Sequence, residues 1–357
     1  MIKSRRKMNY SLKSIDEYQK SFFEQMVFLS NQLNKGHPLF VPKNIERDFL
    51  EFKSGHSFDL NNHWRAFLLL DEVDAPVACA IVTRCKASAE KKSFLGFFES
   101  VKDCDLTLLF KSCEDYARTL DSTELIGPIQ GSIFNSYKFK LDQKIFMGGD
   151  PVHPSYYPEL WKDAGYSLVG RWENILVSRL VYLLKIFVSF LFSYRGKNLT
   201  ARPYNPYKRE EEIKLLYDLV IDSYSNMMAF TPISLEEFKH WNEIILDSNF
   251  ERSFIFIQHK EEPIGFNIDL VLPFLKDGEE PSMRMQFAYV GKKRHLAEKA
   301  RGVADIVMRY HILHRVLKPF GPIPLVTGVY ENSPFRHWLL KSGYSVVGTY
   351  GLYGKKL

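Results

Sequence analysis

Phe67-Leu68-Leu69-Leu70-Asp71-Glu72-Val73-Asp74-Ala75-Pro76-Val77-Ala78 reads as an apolar strand, an acidic turn, and a proline that opens a second strand. Phe254-Ile255-Phe256-Ile257-Gln258-His259-Lys260-Glu261-Glu262-Pro263-Ile264-Gly265 reads the same way, with the same spacing from Phe to Pro. Further along, a helix-like stretch runs into Gly165-Tyr166-Ser167-Leu168-Val169-Gly170 after the first segment and into Gly343-Tyr344-Ser345-Val346-Val347-Gly348 after the second. Two matched landmarks in matched order are hard to obtain from composition alone. The chain reads as two copies of one α/β module.

The elements around these landmarks repeat as well. Tyr18, Phe22, Phe23, Met26, Leu29 and Leu33 fall near helical spacing and predict a leading helix within 15–35. Strands follow at 65–71, 76–84 and 93–99, then a helix with Leu106, Leu109, Phe110, Cys113 and Ala117 inward. A strand at 123–128, a short helix at 156–164 and a strand at 166–177 complete the first copy. The second copy gives a helix at 207–226, strands at 252–259, 263–273 and 282–291, and a helix at 299–317. Strand 323–330, helix 334–341 and strand 344–355 then finish the chain. The order β-β-β-α-β-α-β in each copy predicts an α/β (α+β) fold of two mixed, mostly antiparallel sheets flanked by helices. The expected division is an N-terminal module over 1–177, an apolar connecting helix and linker over 178–204, and a C-terminal module over 205–357.

The 357 residues suffice for two cores. A net charge of +6, with basic residues spread along the chain, argues against nucleic acid as a partner. Cys79, Cys85, Cys104 and Cys113 make no Cys-x-x-Cys pair and have no histidine cluster nearby, so buried thiols are expected and no metal. The basic start Met1-Ile2-Lys3-Ser4-Arg5-Arg6-Lys7 leads into no apolar run, which reads as a cytoplasmic chain. The most apolar stretch, 175–192, is interrupted by Arg179 and Lys185. It reads as a helix buried between the modules or at a dimer contact. The other reading is a helix lying on the inner membrane, aided by Arg195, Lys197 and Arg202.

The chemistry-bearing signal lies in the second copy. A strand-like run, Met283-Arg284-Met285-Gln286-Phe287-Ala288-Tyr289-Val290, leads into Gly291-Lys292-Lys293-Arg294 and then Lys299-Ala300-Arg301-Gly302-Val303-Ala304-Asp305 at a helix start. Unpaired N–H groups and the positive end of a helix suit a pyrophosphate there. Lys299-Ala300-Arg301-Gly302-Val303-Ala304 resembles the acyl-CoA loop of the GCN5-related N-acetyltransferase (GNAT) superfamily, Gln/Arg-x-x-Gly-x-Gly/Ala, with Lys at the first position. Glu331-Asn332-Ser333-Pro334-Phe335-Arg336 and Lys341-Ser342-Gly343-Tyr344 resemble that family's Asn-containing turn and its closing strand entry. The resemblance covers 205–357 and extends more weakly over 15–177, as in a bacterial tandem GNAT.

The resemblance implies acetyl-CoA or a longer acyl-CoA as donor and a small-molecule or lipid-like amine as acceptor. It also implies that Lys299, Arg301, Gly302, Val303 and Ala304 hold the cofactor, while backbone N–H groups near Tyr289 and Val290 hold the thioester carbonyl. Glu331 is the first candidate base, Asp269 the next, and Asn332 marks the family's turn. The family often carries a tyrosine acid seven residues after this Asn; here Leu339 stands there, leaving Tyr330 or Tyr344 as donors. In the first copy, Glu99-Ser100-Val101-Lys102-Asp103-Cys104-Asp105 replaces the phosphate loop, and Glu99, Asp103 and Asp105 are expected to repel a pyrophosphate. The stretch Gly127–Tyr137, rich in amides and hydroxyls, either shapes an acceptor pocket or caps the sheet. Leu339 and the missing first loop also fit a non-catalytic scaffold, and the greasy run at 175–192 fits transfer of a lipid-linked or aminoacyl group.

Overall fold

The computed structural model describes residues 9–142, 145–176, 199–246, 252–276, 279–280, 282–293, 325–341 and 343–357. The first copy runs β1 (Ser11–Ile15), α1 (Lys20–Asn34), α2 (Ile45–Asp48), α3 (Ser57–Asn61), β2 (Asn62–Leu70), β3 (Pro76–Cys85), β4 (Lys92–Ser100), α4 (Thr107–Thr119), β5 (Glu124–Gly127), β6 (Phe139–Lys140), β7 (Ile145–Met147), α5 (Tyr157–Asp163) and β8 (Ser167–Leu176). The second runs β9 (Leu199–Pro203), α6 (Arg209–Tyr224), α7 (Leu235–Trp241), α8 (Glu243–Leu246), β10 (Arg252–His259), β11 (Glu262–Lys276), β12 (Ser282–Lys292), β13 (Leu325–Tyr330), α9 (Pro334–Lys341) and β14 (Ser345–Lys356). Each copy opens on a short strand, β1 or β9, that the sequence pattern did not announce. Leu199–Pro203 falls inside the stretch read as linker.

Both repeated landmarks have a physical cause. In each hairpin the register slips at the residue after the proline, so Val77 and Ile264 are bulged. Proline brings no N–H to a ladder and is tolerated at such an irregularity. Gly165 and Gly343 end α5 and α9 in the left-handed region, at φ +86° and +81°. The following tyrosine N–H reaches back to the helix, Tyr166 to the Trp161 carbonyl and Tyr344 to that of Leu339. This is a Schellman-type ending, in which glycine supplies positive φ and the next side chain packs on the last turn. Tyr166 lies 5.0 Å from the Trp161 ring, and Tyr344 clusters with Leu339.

Strand order across the sheet is β1-β2-β3-β4-β5-β14-β8-β13-β12-β11-β10-β9, with β6 on β14 and β7 on β11. Only β4–β5 and β12–β13 are parallel among the described ladders. The mixed sheets of the two modules join into one continuous strand order, because the copies exchange their last strands. β14 pairs with β5 of the first copy, and β8 pairs with β13 of the second. The two exchanged strands run antiparallel against each other at the centre, from Ser345↔Leu176 to Gly354↔Ser167.

Alternation along β2–β4 sends Phe67, Leu69, Ala80 and Leu95 under α4 and α5. The opposite face sends Leu68, Leu70, Ile81 and Phe97 under α1. In the second copy, α6 and α7 cover Phe254, Phe256, Phe266 and Ile268, and the same core takes in Ile126, Ile129 and Trp172 from the first copy. A core shared across the boundary fixes what the two copies can build between them.

Candidate functional site

The two parallel strand pairs part soon after they meet, and the copies treat the opening differently. β12 and β13 pair at Gln286↔Leu325 and Phe287↔Val326; the register of β12 against β11 then slips at Ala288, and Tyr289 and Val290 continue opposite Ile268 and Asn267. β13, already paired with β8 at Leu325 and Val326, stays with it through Val329 and Tyr330, with its own irregularity at Thr327–Gly328. Gly328 sits at φ +68°, and its N–H donates to Asn174 Oδ1 at 2.9 Å.

In the first copy, β4 and β5 pair through Phe94↔Ile126, and β4 is bulged at Phe97, with φ +51°. There the chain leaving β5 crosses straight back over β4. Ile129 N–H donates to the Leu95 carbonyl (3.0 Å), and the Gln130 side-chain oxygen accepts from the bulged Phe97 N–H. The donor a thioester carbonyl would need is already used. The start of α4 is likewise occupied, since Asp105 Oδ1 accepts from Thr107 N–H (3.0 Å).

The expectation that Glu99 repels a pyrophosphate is overturned by its surroundings. Glu99 does not face an incoming ligand with bare charge: it is 5% exposed and pairs with Lys43 at 3.1 Å. It also accepts from Ser30 Oγ (2.5 Å), Tyr157 OH (2.8 Å) and Asn34 Nδ2 (3.4 Å). A carboxylate buried this way is stable because donors replace its water.

A cavity of about 550 Å³ lies where the second copy's strands part, walled by Leu270, Leu272, Thr327 and Gly328 on one side. The other wall is first-copy chain, Ile133 to Lys138 and Gly148 to Pro151. A second cavity of about 400 Å³, over the bulge of β4, shares Asn135 to Lys138, Gly149 to Pro151 and Trp241 with it. The stretch Gly127–Tyr137 seals the first copy's sheet, and residues of it also line these cavities.

Under the shared wall lies a polar network that sequence reading missed. Lys140, fully buried, pairs with Asp150 Oδ2 at 3.2 Å. Tyr350 OH donates to Asp150 Oδ1 (2.7 Å) and accepts from Lys140 Nζ (3.2 Å) and Asn174 Nδ2 (2.5 Å). Burial, then the Asp150 charge, raises the Tyr350 phenol well above its ordinary range. Lys138 stands beside this network with its ammonium 4.0 Å from the Tyr137 ring centroid and 5.3 Å from those of Trp172 and Tyr350. The alternation Tyr137-Lys138-Phe139-Lys140 was the available signal, since it puts two lysines at strand spacing among aromatics.

No protein-family model and no curated protein matches the sequence. Among solved structures, a tandem GNAT protein from the clavulanic acid biosynthesis pathway is 9% identical and aligns over 98% of both chains with a TM-score of 0.52. This chain has the tandem GNAT fold. A probable N-acyltransferase of Enterococcus faecalis V583 is 9% identical, with a TM-score of 0.57 over 98% of this chain and 72% of that one. A GCN5-related N-acetyltransferase of Anabaena variabilis is 9% identical, with a TM-score of 0.51 over 97% and 73%.

Within the tandem GNAT fold the residues singled out from sequence scatter. Lys299, Arg301, Gly302, Val303 and Ala304 lie outside the described residues. Tyr289 and Val290 lie on β12 just past its irregularity, where the strands part. Tyr330 pairs with Trp172, and the two rings meet tilted, with centroids 5.5 Å apart. Glu331 N–H donates to the Arg171 carbonyl at 3.0 Å; neither Glu331 nor Asn332 lines the two cavities. Arg336, from the same turn, is bidentate to buried Glu173 on β8 (2.5 and 3.0 Å), tying α9 to the first copy's exchanged strand. Asp269 is fully buried on β11 and accepts from Asn267 Nδ2 at 2.9 Å. Leu339 and Tyr344 are both core residues beside Ile175 and Val329. Of the apolar run, 177–192 lies outside the described residues and Ile175–Leu176 end β8. Arg202 pairs with Glu212 (2.9 Å) and covers the Phe256 ring. No helix among the described residues is long and apolar enough to cross a membrane.

The smaller cavity carries a pH signature. Glu51 is 2% exposed, and its Oε2 has no hydrogen-bond partner among the described residues. Burial pushes its carboxyl up to about 8. Folded protein therefore holds a proton that unfolded protein releases above the ordinary carboxylate range, so this contribution is lost as pH rises toward 8. Burial pushes His153 down to about 4, so above its ordinary value near 6.5 it is neutral in both states and adds no slope. Lys138, on the same cavity and pulled down to about 7 by burial, contributes a slope of the opposite sign over this range, so the Glu51 contribution is read as a difference between proteins. Between pH 6.5 and 8, the stability of Glu51→Gln relative to wild type is expected to climb by about 1 kcal/mol per pH unit. Urea unfolding of both proteins at several pH values measures it; equal slopes in the two would show that Glu51 does not hold the proton.

Proposed function

We propose that this protein transfers an acyl group from an acyl-CoA thioester to an amine, with the second copy holding the thioester and the first walling the acceptor's side. One observation carries this reading: β12 and β13 part beside an open cavity, while the matching opening between β4 and β5 is closed by Ile129 and Gln130. The fold and the sequence motif Lys299–Ala304 support it from two other directions. In this reading N–H groups around Tyr289 and Val290 stabilise the oxyanion as the amine attacks the thioester carbon. The C–N bond forms, the C–S bond breaks, and the proton lost by the amine accounts for the one gained by the thiolate.

Acetyl-CoA or a longer acyl-CoA is expected to raise the melting temperature by roughly 5 °C at a hundredfold excess over Kd. Gly302→Glu, which puts a side chain and a negative charge into the motif, is expected to abolish that shift. A shift retained in the variant would put the ligand elsewhere. A folded wild-type protein unmoved by any thioester would leave a scaffold.

A further inference from the structure

The cavity-lining cations identify what the acceptor carries besides its amine. Lys43, Arg47 and Lys138 are the lysines and arginines that line the two cavities among the described residues. Lys43 is paired with Glu99 at 3.1 Å and Arg47 with Asp48 at 2.8 Å. Lys138 makes no hydrogen bond or ion pair through its ammonium among the described residues. Asp150 is the nearby anion, but Lys140 Nζ, Met147 N–H and Tyr350 OH already claim its two oxygens. What surrounds the Lys138 ammonium is three aromatic faces, which favour a cation without neutralising it.

This placement is built. Lys138 is held in the left-handed region (φ +77°), which a residue with a Cβ rarely adopts, and its N–H donates to the Pro128 carbonyl at 3.0 Å. That conformation sets the side chain on the wall common to both cavities. Its ammonium lies 4.0 Å from where a Cβ on Gly328 would stand, beside the irregularity of β13. Burial pulls the ammonium down to about 7, with Asp150 opposing, so an arriving anion would gain by restoring its charge.

We infer that the larger cavity binds an amine acceptor that also carries a free carboxylate, an amino acid with an apolar side chain, and that Lys138 is the carboxylate's counter-ion. Lys140 is spent on Asp150, so the site offers one positive charge, which suits a carboxylate better than a phosphate dianion. The walls contributed by Ile133, Phe134, Met227, Leu270 and Leu272 suit the apolar side chain, and about 550 Å³ admits a molecule of that size. A carboxylate on Lys138 keeps an α-amine, one carbon away, beside Thr327 and Gly328, where the strands part. The amine's role rests on the acyltransferase reading; the carboxylate's does not.

Calorimetric titration of the thioester-free protein with L-phenylalanine, L-leucine and 3-phenylpropanoate, each against its methyl ester, tests this. The three acids are expected to bind and the esters to bind on the order of tenfold to a hundredfold more weakly. Lys138→Arg is expected to retain binding within a few-fold, and Lys138→Met to lose it to the level of the esters. Esters that bind as well as acids, a Met variant that binds as well as wild type, or wild-type protein that binds none of the acids would each overturn the proposal. The ester comparison uses wild-type protein and does not depend on either variant folding. Thioester binding without acid binding would sink this inference alone, and acid binding without thioester binding would sink the transferase reading alone.

Discussion

Asp150→Ala is expected to lower stability by about 3–5 kcal/mol, because it takes the carboxylate away from a fully buried lysine. The Coulomb attraction at 3.2 Å is only part of the reason. Lys140 lies under the shared wall of the cavities, against the Phe146 and Tyr350 rings, where water cannot replace the missing partner. The same substitution strips Tyr350 OH of its acceptor and Met147 N–H of its own. It therefore loosens the loop after β7 and the middle of exchanged strand β14 together. Lys140→Met combined with Asp150→Ala is expected to recover part of the loss, since it removes the buried charge that has lost its Asp150 ion pair. Urea unfolding of wild type and the three variants measures the coupling. A single Asp150→Ala loss near 1 kcal/mol, or no recovery in the double variant, would mean that water reaches Lys140.

How much of this was legible beforehand follows from what each feature depends on. The hairpins at Phe67–Ala78 and Phe254–Gly265 and the endings at Gly165 and Gly343 depend on local chemistry: proline beside a bulge, glycine at positive φ. Local chemistry is written in the residues, so the repeat and the order of its major elements could be read directly. The exchange of β8 and β14 depends on which neighbour a strand chooses, and nothing in Ser167–Leu176 or Ser345–Lys356 distinguishes one β5-like partner from the other. β1 and β9 are short edge strands with little apolar content, so periodicity was silent there. The candidate site failed to appear for a related reason. Lys138, Lys140, Asp150, Asn174 and Tyr350 come from one loop region and the two exchanged strands, and their meeting is a consequence of the exchange. Glu331, chosen because it ends a strand in the familiar order, ends up outside the cavities. Glu99, taken as a repelling charge, is satisfied by side chains from α1, α5 and the segment before α2 that no local pattern links to it.

Gly96→Ala is expected to cost about 3 kcal/mol or more, at or above the upper end of ordinary overpacking. A methyl group on Gly96 would overlap the Ile129 carbonyl oxygen and stand 2.5 Å from its carbon and 3.1 Å from the Gln130 Cα. These are backbone atoms of the segment that seals the first copy, held by the Ile129–Leu95 hydrogen bond and by Gln130 on the Phe97 N–H. No rotamer change relieves such a contact, so the crossing chain must lift off β4. Gly36 is the fitting control: nothing lies within 4 Å of its added Cβ and its φ is not in the left-handed region, so Gly36→Ala should be neutral or stabilise slightly. If lifting the seal also frees the Phe97 N–H, amide hydrogen exchange at Phe97 and Ile129 should accelerate together in Gly96→Ala, ahead of global unfolding. Equal stability of Gly96→Ala and Gly36→Ala, or unchanged exchange at both amides, would show that Ile129 and Gln130 do not rest on β4. The asymmetry between a closed first opening and a second one that no described residue seals, on which the assignment of the thioester to the second copy rests, would then be gone.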